Sequence, residues 1–143
     1  MEYEEEKIGE VAEALVQKLI ASKNSKNSSA SVLLLSGELG AGKTRLTKEI
    51  LAQFGVGEPV ISPTFVVMKK YSLKNAPWKN AIHIDTYRLK DENQEILNLP
   101  EIFADGDNLV IIEWPEYIKN MPENNALKAT VFHVSETKRK ILF

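Results

Sequence analysis

The sequence predicts an α/β domain of three layers, built on a central mixed, partly parallel sheet, and three observations predict it. Val32-Leu33-Leu34-Leu35 is a continuous apolar run of the kind that forms a strand covered on both faces. A glycine-rich segment follows it and leads into residues of helical spacing. Two later apolar runs, Ala81 to Ile84 and Leu109 to Ile112, are each followed by an acid. That alternation of short buried strands with helices is the pattern of an α/β sheet.

From Glu4 to Ala21 the apolar residues Ile8, Val11, Ala12, Leu15, Leu19 and Ile20 recur at steps of three and four, which lines them along one face of a docking helix. Residues 22 to 30, SKNSKNSSA, offer nothing to bury and read as a surface loop with two solvated lysines. Gly37 ends the Val32–Leu35 strand. Leu46, Ile50, Leu51 and Phe54 then repeat at helical spacing, with Gly55 where a helix stop belongs. Phe65 to Met68 reads as another strand, and Asp91 to Leu99 as a short helix. Pro100 and residues 105 to 108 mark irregular chain and a turn. Ala129 to Val134 and Lys140 to Phe143 form a closing hairpin around Ser135 to Lys138.

With 143 residues, 43% hydrophobic and 27% charged, the chain has the material for one packed core, read as a single domain over 1–143. A net charge of -2 offers no field that gathers DNA or RNA, so any RNA is expected to be held through a partner. The absence of cysteine excludes disulfides, thiolate zinc sites and thiol nucleophiles. The opening MEYEEEKIGE is acidic where a secretory signal is basic, and no apolar run reaches the roughly 20 residues of a membrane span. A cytoplasmic location with no membrane partner is the expectation.

Residues 37 to 44 spell GELGAGKT, a complete G-x-x-x-x-G-K-[ST] at a strand-to-helix junction. This makes the predicted fold P-loop NTPase-like. Backbone N–H groups of Glu38, Leu39, Gly40, Ala41, Gly42, Lys43 and Thr44 can point inward at phosphate oxygens, and the helix start adds its own unpaired donors. Lys43 can reach the outer phosphates of ATP or ADP, and the Thr44 hydroxyl can sit on Mg²⁺. Such a site also needs a carboxylate near the metal and a group that orients the attacking water. Glu113 and Asp85 are the candidates, Glu113 on the metal side with Thr44 and Asp85 toward the water, and the two roles are exchangeable at this stage.

Thr64, in Ser62-Pro63-Thr64-Phe65, lies where a loop could return to the γ-phosphate, and the segment reads equally well as Pro63 shaping the entry to a strand. Alternation places His83, Asp85 and Tyr87 on one face of an extended chain, with Ile82, Ile84 and Thr86 on the other. His83 reads as a hydrogen-bonded packing residue. Arg88 could meet phosphate, a partner, or simply Asp91 or Glu92. Trp114 could stack on a base or partner or belong to the core, and Trp78 is a contact residue only if its turn is exposed.

Four segments in order, GELGAGKT, SPTF, HIDTYRL and IIEWPE, resemble the TsaE family of bacterial P-loop ATPases, over roughly Leu33 to Glu116. The resemblance implies an ATPase, slow or partner-dependent, that works with TsaD and TsaB proteins in making threonylcarbamoyladenosine beside the anticodon of tRNAs reading ANN codons. It assigns Lys43 and Thr44 to phosphate and Mg²⁺, Thr64 to a switch loop, Asp85 and Glu113 to essential acids, and Trp114 to the aromatic after the acid. Group transfer would occur in TsaD, and ATP hydrolysis here would reset the assembly. Pro115 departs from the family, standing where a small residue commonly follows Glu-Trp, and the 22–30 stretch is long and polar. A guanine-nucleotide switch is disfavoured because neither N-K-x-D nor D-x-x-G occurs. A small-molecule or nucleoside kinase, using Arg45 and Arg88, is the alternative.

Overall fold

The computed structural model describes residues 1–23, 28–60, 67–89, 97–121 and 126–143. Its strands are β1 (Glu2–Glu4), β2 (Ser31–Gly37), β3 (Met68–Ser72), β4 (Asn80–Asp85), β5 (Asn108–Glu113), β6 (Ala126–His133) and β7 (Lys138–Leu142), and its helices are α1 (Ile8–Ser22), α2 (Lys43–Gln53) and α3 (Leu99–Ala104). The strands form one seven-stranded sheet in the order β1-β7-β6-β2-β5-β4-β3. β2 runs parallel to both β5 and β6, and β4 is parallel to β5, while β3, β7 and β1 extend the edges antiparallel. This is the α/β, P-loop NTPase-like architecture that the sequence predicts.

Residue alternation divides the strands between two cores. Leu33 and Leu35, Leu109 and Ile111, Ala81 and Tyr71 face α1 and α2, where Leu15, Leu19, Leu46, Ile50 and Phe54 cover them. Val32, Leu34, Ile82, Ile84, Val110 and Ile112 face the other way, under Leu89, Leu97, Leu99 and Ile118. Burial of both faces explains why β2 and β5 read as continuous apolar runs and β4 as one interrupted only by His83.

Several expectations are corrected. The helix expected from Glu4 starts later: Glu2–Glu4 is a strand that pairs with β7, Tyr3 opposite Arg139, and a 3-10 turn at Glu5–Lys7 leads into α1 at Ile8. Within α1, Val16 is buried whereas Ile20 is 39% exposed. Lys23 is more than solvated, since its Nζ donates to the Gly106 carbonyl at 2.6 Å; Lys26 lies outside the described residues. The strand expected at Phe65–Met68 is instead Met68–Ser72, with Val67 in the left-handed region and Phe65 and Val66 outside the described residues.

Of the helix expected at Asp91–Leu99, residues 91–96 lie outside the described set. Helix α3 runs from Leu99 to Ala104, with Pro100 in its first turn, where a missing N–H breaks no helical bond. Trp78 is a core residue: its ring meets Phe54 edge-on at 5.6 Å, and Nε1–H donates to Ser31 Oγ at 3.0 Å. The closing hairpin is β6 with β7, Phe132 opposite Lys140. No described helix is long and apolar enough to cross a membrane.

Candidate functional site

On the α2-facing side, Leu33 and Leu35 of β2 and Leu109 and Ile111 of β5 are apolar, β4 carries Ala81 and then the buried His83, and Gly37, Asp85 and Glu113 take the places at the strand ends. Register aligns them: Asp85 pairs with Glu113, and Glu113 with Leu35. Two acids and the glycine-rich turn therefore meet at the C-terminal edge of the parallel strands, where open α/β sheets bind ligands.

Gly37 fits only as glycine. Its φ is 145°, and an added Cβ would lie 2.4 Å from the Val131 carbonyl oxygen of β6. The turn closes through Ala41 N–H, which donates to the Glu38 carbonyl at 3.1 Å, and α2 begins as Leu46 N–H reaches Gly42 O at 2.9 Å. Glu38, Leu39 and Gly40 are exposed at the tip, with Leu39 at 73%. Ala41 is buried. Gly40 and Gly42 line the cleft with nothing within 4 Å of where a Cβ would be.

Lys43 is buried at the base of the turn, where Nζ donates to the carbonyls of Gly37 at 2.7 Å and Glu38 at 2.9 Å. Burial lowers its pKa, against the opposing pull of Glu113, Asp85, Glu116 and Glu38. Nζ also sits 4.2 Å from the centre of the Trp114 ring, a cation–π contact. Beside it the Thr44 hydroxyl donates to Glu113, 2.9 Å from Oε1 and 3.1 Å from Oε2.

Glu113 is buried and also takes His83, whose Nε2 is 2.5 Å from Oε2. His83 faces Ile111 in the ladder and lies diagonal to Glu113, within reach for a long acid. The carboxylate accepts, so Nε2 is the nitrogen that donates; Nδ1 has no hydrogen-bond partner among the described residues. His83 is thus the hydrogen-bonded, buried residue that its sequence setting suggests, and its partner is an acid of the site.

Asp85 is buried too, and its Oδ1 accepts the Tyr87 N–H at 3.0 Å. Desolvation raises its pKa, the Tyr87 bond opposes that rise, and nearby Glu113 adds to it. Together Leu39, Gly40, Gly42, Lys43, Thr44, Arg45, Asp85, Glu113 and Trp114 line a cleft of about 240 Å³.

Trp114 takes a left-handed backbone conformation at φ 61°, followed by a 3-10 turn over Pro115–Tyr117. Thr86 Oγ1 ties this turn down by donating to the carbonyls of Glu113 and Trp114. The result stacks Trp114 on Tyr117 at 5.9 Å and tilts it against Tyr87 at 4.9 Å. Trp114 is therefore neither a core residue nor free-standing; it roofs Lys43. Tyr117 had no sequence signal, because only the reversal at Trp114 brings it back.

Thr64 lies outside the described residues, as do Asp91 and Glu92, the acids weighed for Arg88; Arg88 itself is exposed. No group of three or more His, Cys, Asp or Glu that could hold a metal occurs among the described residues. The oxygen donors that do converge are the Thr44 hydroxyl and the Glu113 carboxylate, hard ligands of the kind Mg²⁺ uses alongside phosphate oxygens and water.

A family model described as "Threonylcarbamoyl adenosine biosynthesis protein TsaE" matches residues 3–141. A Bacillus subtilis (strain 168) protein named tRNA threonylcarbamoyladenosine biosynthesis protein TsaE is 35% identical over 112 residues, covering 78% of this chain and 68% of that protein. A Rickettsia felis protein of the same name is 38% identical over 109 residues, covering 76% of this chain but only 61% of its own length. The crystal structure of Bacillus subtilis YdiB superposes with a TM-score of 0.67 at 26% identity, over 99% of this chain and 82% of that one.

Proposed function

Because this chain belongs to the TsaE family of threonylcarbamoyl adenosine biosynthesis proteins, we propose that it is the ATP-hydrolysing component of the tRNA threonylcarbamoyladenosine machinery. In this reading it binds Mg-ATP in the Gly37–Thr44 turn and drives the turnover cycle of a TsaD–TsaB complex in the cytoplasm. tRNA is met through that complex, in keeping with the net charge of -2.

The observation that carries the reading is the joining of Thr44 to Glu113 beside a buried Lys43. A hydroxyl and a carboxylate already in contact, next to an ammonium in a glycine-rich turn, form the charge pattern of a magnesium–phosphate site. Thr44 and Glu113 would hold Mg²⁺, which when bound offsets phosphate charge and polarises the bond to be broken. His83 orients Glu113 through its Nε2–H. Lys43, now satisfied by two loop carbonyls, would turn its Nζ to the outer phosphates.

Asp85 would orient the attacking water. Its Oδ1 is occupied by the Tyr87 N–H, which leaves Oδ2 to accept from a water molecule. Burial keeps that carboxyl a better base than an exposed aspartate. Glu113 is less free to hold that water in this scheme, because both its oxygens are engaged by Thr44 and His83.

The test is ATP consumption by purified protein with Mg²⁺, alone and with TsaB and TsaD proteins. Slow turnover that changes when the partners are added supports the reading. Phosphate transfer to a small-molecule acceptor, with no response to the partners, would make it a kinase instead.

A further inference from the structure

Ion pairs beside the cleft divide into a fixed half and a movable half. Arg139 is buried, and its Nη1 donates to the carbonyls of Ser135 at 2.7 Å and Lys138 at 2.9 Å. Its Nη2 is 2.5 Å from Glu5 Oε1. The other oxygen of Glu5, Oε2, lies 3.5 Å from Nη1 of Arg45, whose side chain is 51% exposed. Glu5 is thus anchored by Arg139 and only loosely paired with Arg45, so it keeps a close partner if Arg45 leaves.

Arg45 follows Thr44 directly and lines two cavities at once. One is the cleft of the glycine-rich turn; the other, of about 380 Å³, is bounded by Glu4, Glu5, Glu6 and Thr137. Among the described residues lining the cleft, the cations are Lys43 and Arg45 and the acids are Asp85 and Glu113. A polyphosphate placed beside two carboxylates needs more than one cation, and a guanidinium can fork onto phosphate oxygens.

We propose that Arg45 exchanges partners, leaving Glu5 for the phosphate chain of the nucleotide, so that Glu5 competes with nucleotide and sets its affinity. Arg45 is then a binding residue and Glu5 a positioning residue, held in place by Arg139. The proposal rests on reading the cleft as a polyphosphate site. It also links nucleotide occupancy to the 3-10 turn that starts α1, since Glu5 opens that turn.

The experiment is calorimetric titration with Mg-ADP, at low salt, of the wild type, Glu5→Gln, Arg45→Ala and the double variant. Glu5→Gln should bind ADP more tightly, by up to about fivefold, the upper end for a part-exposed charge pair. Arg45→Ala should bind it roughly fivefold or more weakly. The double variant should match Arg45→Ala, because Glu5 acts only through Arg45. A merely structural Glu5 predicts the opposite sign, since losing a brace weakens binding. Glu5→Gln that binds no more tightly, or that still tightens binding without Arg45, overturns the proposal. Should Glu5→Gln not fold, Arg45→Ala leaves the Glu5–Arg139 pair intact, and unchanged ADP affinity there is decisive against it. A wild type that binds no ADP at all overturns the nucleotide reading as well, which separates the two failures.

Discussion

Thr44 and Glu113 are joined across the cleft, the threonine hydroxyl donating to a carboxylate whose two oxygens lie 2.9 and 3.1 Å away. The contact ties the first turn of α2 to the end of β5. Thr44→Val and Glu113→Gln should each lower Mg²⁺-dependent ATP turnover by about 10²-fold, as removal of a group that stabilises developing charge does. Steady-state phosphate release with and without Mg²⁺ checks this. Wild-type turnover in either variant would remove that residue from the site.

Asp85→Asn should lose turnover and gain stability. Burial raises the folded pKa of Asp85 above its ordinary value of 3.8, so its ionised form costs folding free energy. That cost is absent below the unfolded pKa and is complete once pH has risen past the folded one. The asparagine keeps an Oδ1 for the Tyr87 N–H without the charge. Its unfolding midpoint should therefore exceed the wild type's most at neutral pH, with the gap narrowing as pH falls through the folded pKa. A gap that is constant across pH would contradict the assignment.

Trp78 and Trp114 are the two tryptophans of the chain, and they should report different things. Trp78→Ala should cost about 3–5 kcal/mol in urea unfolding, the range for emptying an aromatic core site. In Trp78→Phe, Trp114 remains as the only indole, 4.2 Å from Lys43 Nζ. ADP that draws Lys43 away should change its emission. An emission spectrum unmoved at saturating ADP would argue that Lys43 stays where it is.

Gly37→Ala should destabilise the protein by about 1–3 kcal/mol, the range for overpacking a close-packed site. Its Cβ would press on the Val131 carbonyl oxygen at 2.4 Å, where β2 meets β6. A wild-type unfolding curve would show that the turn can shift without cost.

Legibility in the sequence followed how much of an element's fate is local. β2, β4 and β5 are buried on both faces, so their apolar runs stand out, and Asp85 and Glu113 stand out because each ends such a run. The turn was legible because Lys43 and Thr44 follow a strand and open a helix. β1 was not, because Glu2-Tyr3-Glu4 carries a single apolar residue and takes its shape from β7. β3 hid behind Lys69 and Lys70, with only Tyr71 buried. Trp78 owes its burial to Ser31 and Phe54, both distant in sequence. The roles of Asp85 and Glu113 were open in the sequence because both end similar strands; their proposed assignment rests on the Thr44–Glu113 contact.

The most direct test is a crystal structure of the protein soaked in Mg-ADP. The account predicts phosphate density inside the Gly37–Thr44 turn, with Lys43 Nζ moved off the carbonyls of Gly37 and Glu38 that now hold it at 2.7 and 2.9 Å. Nucleotide bound elsewhere, with Lys43 still seated on those carbonyls, would contradict it.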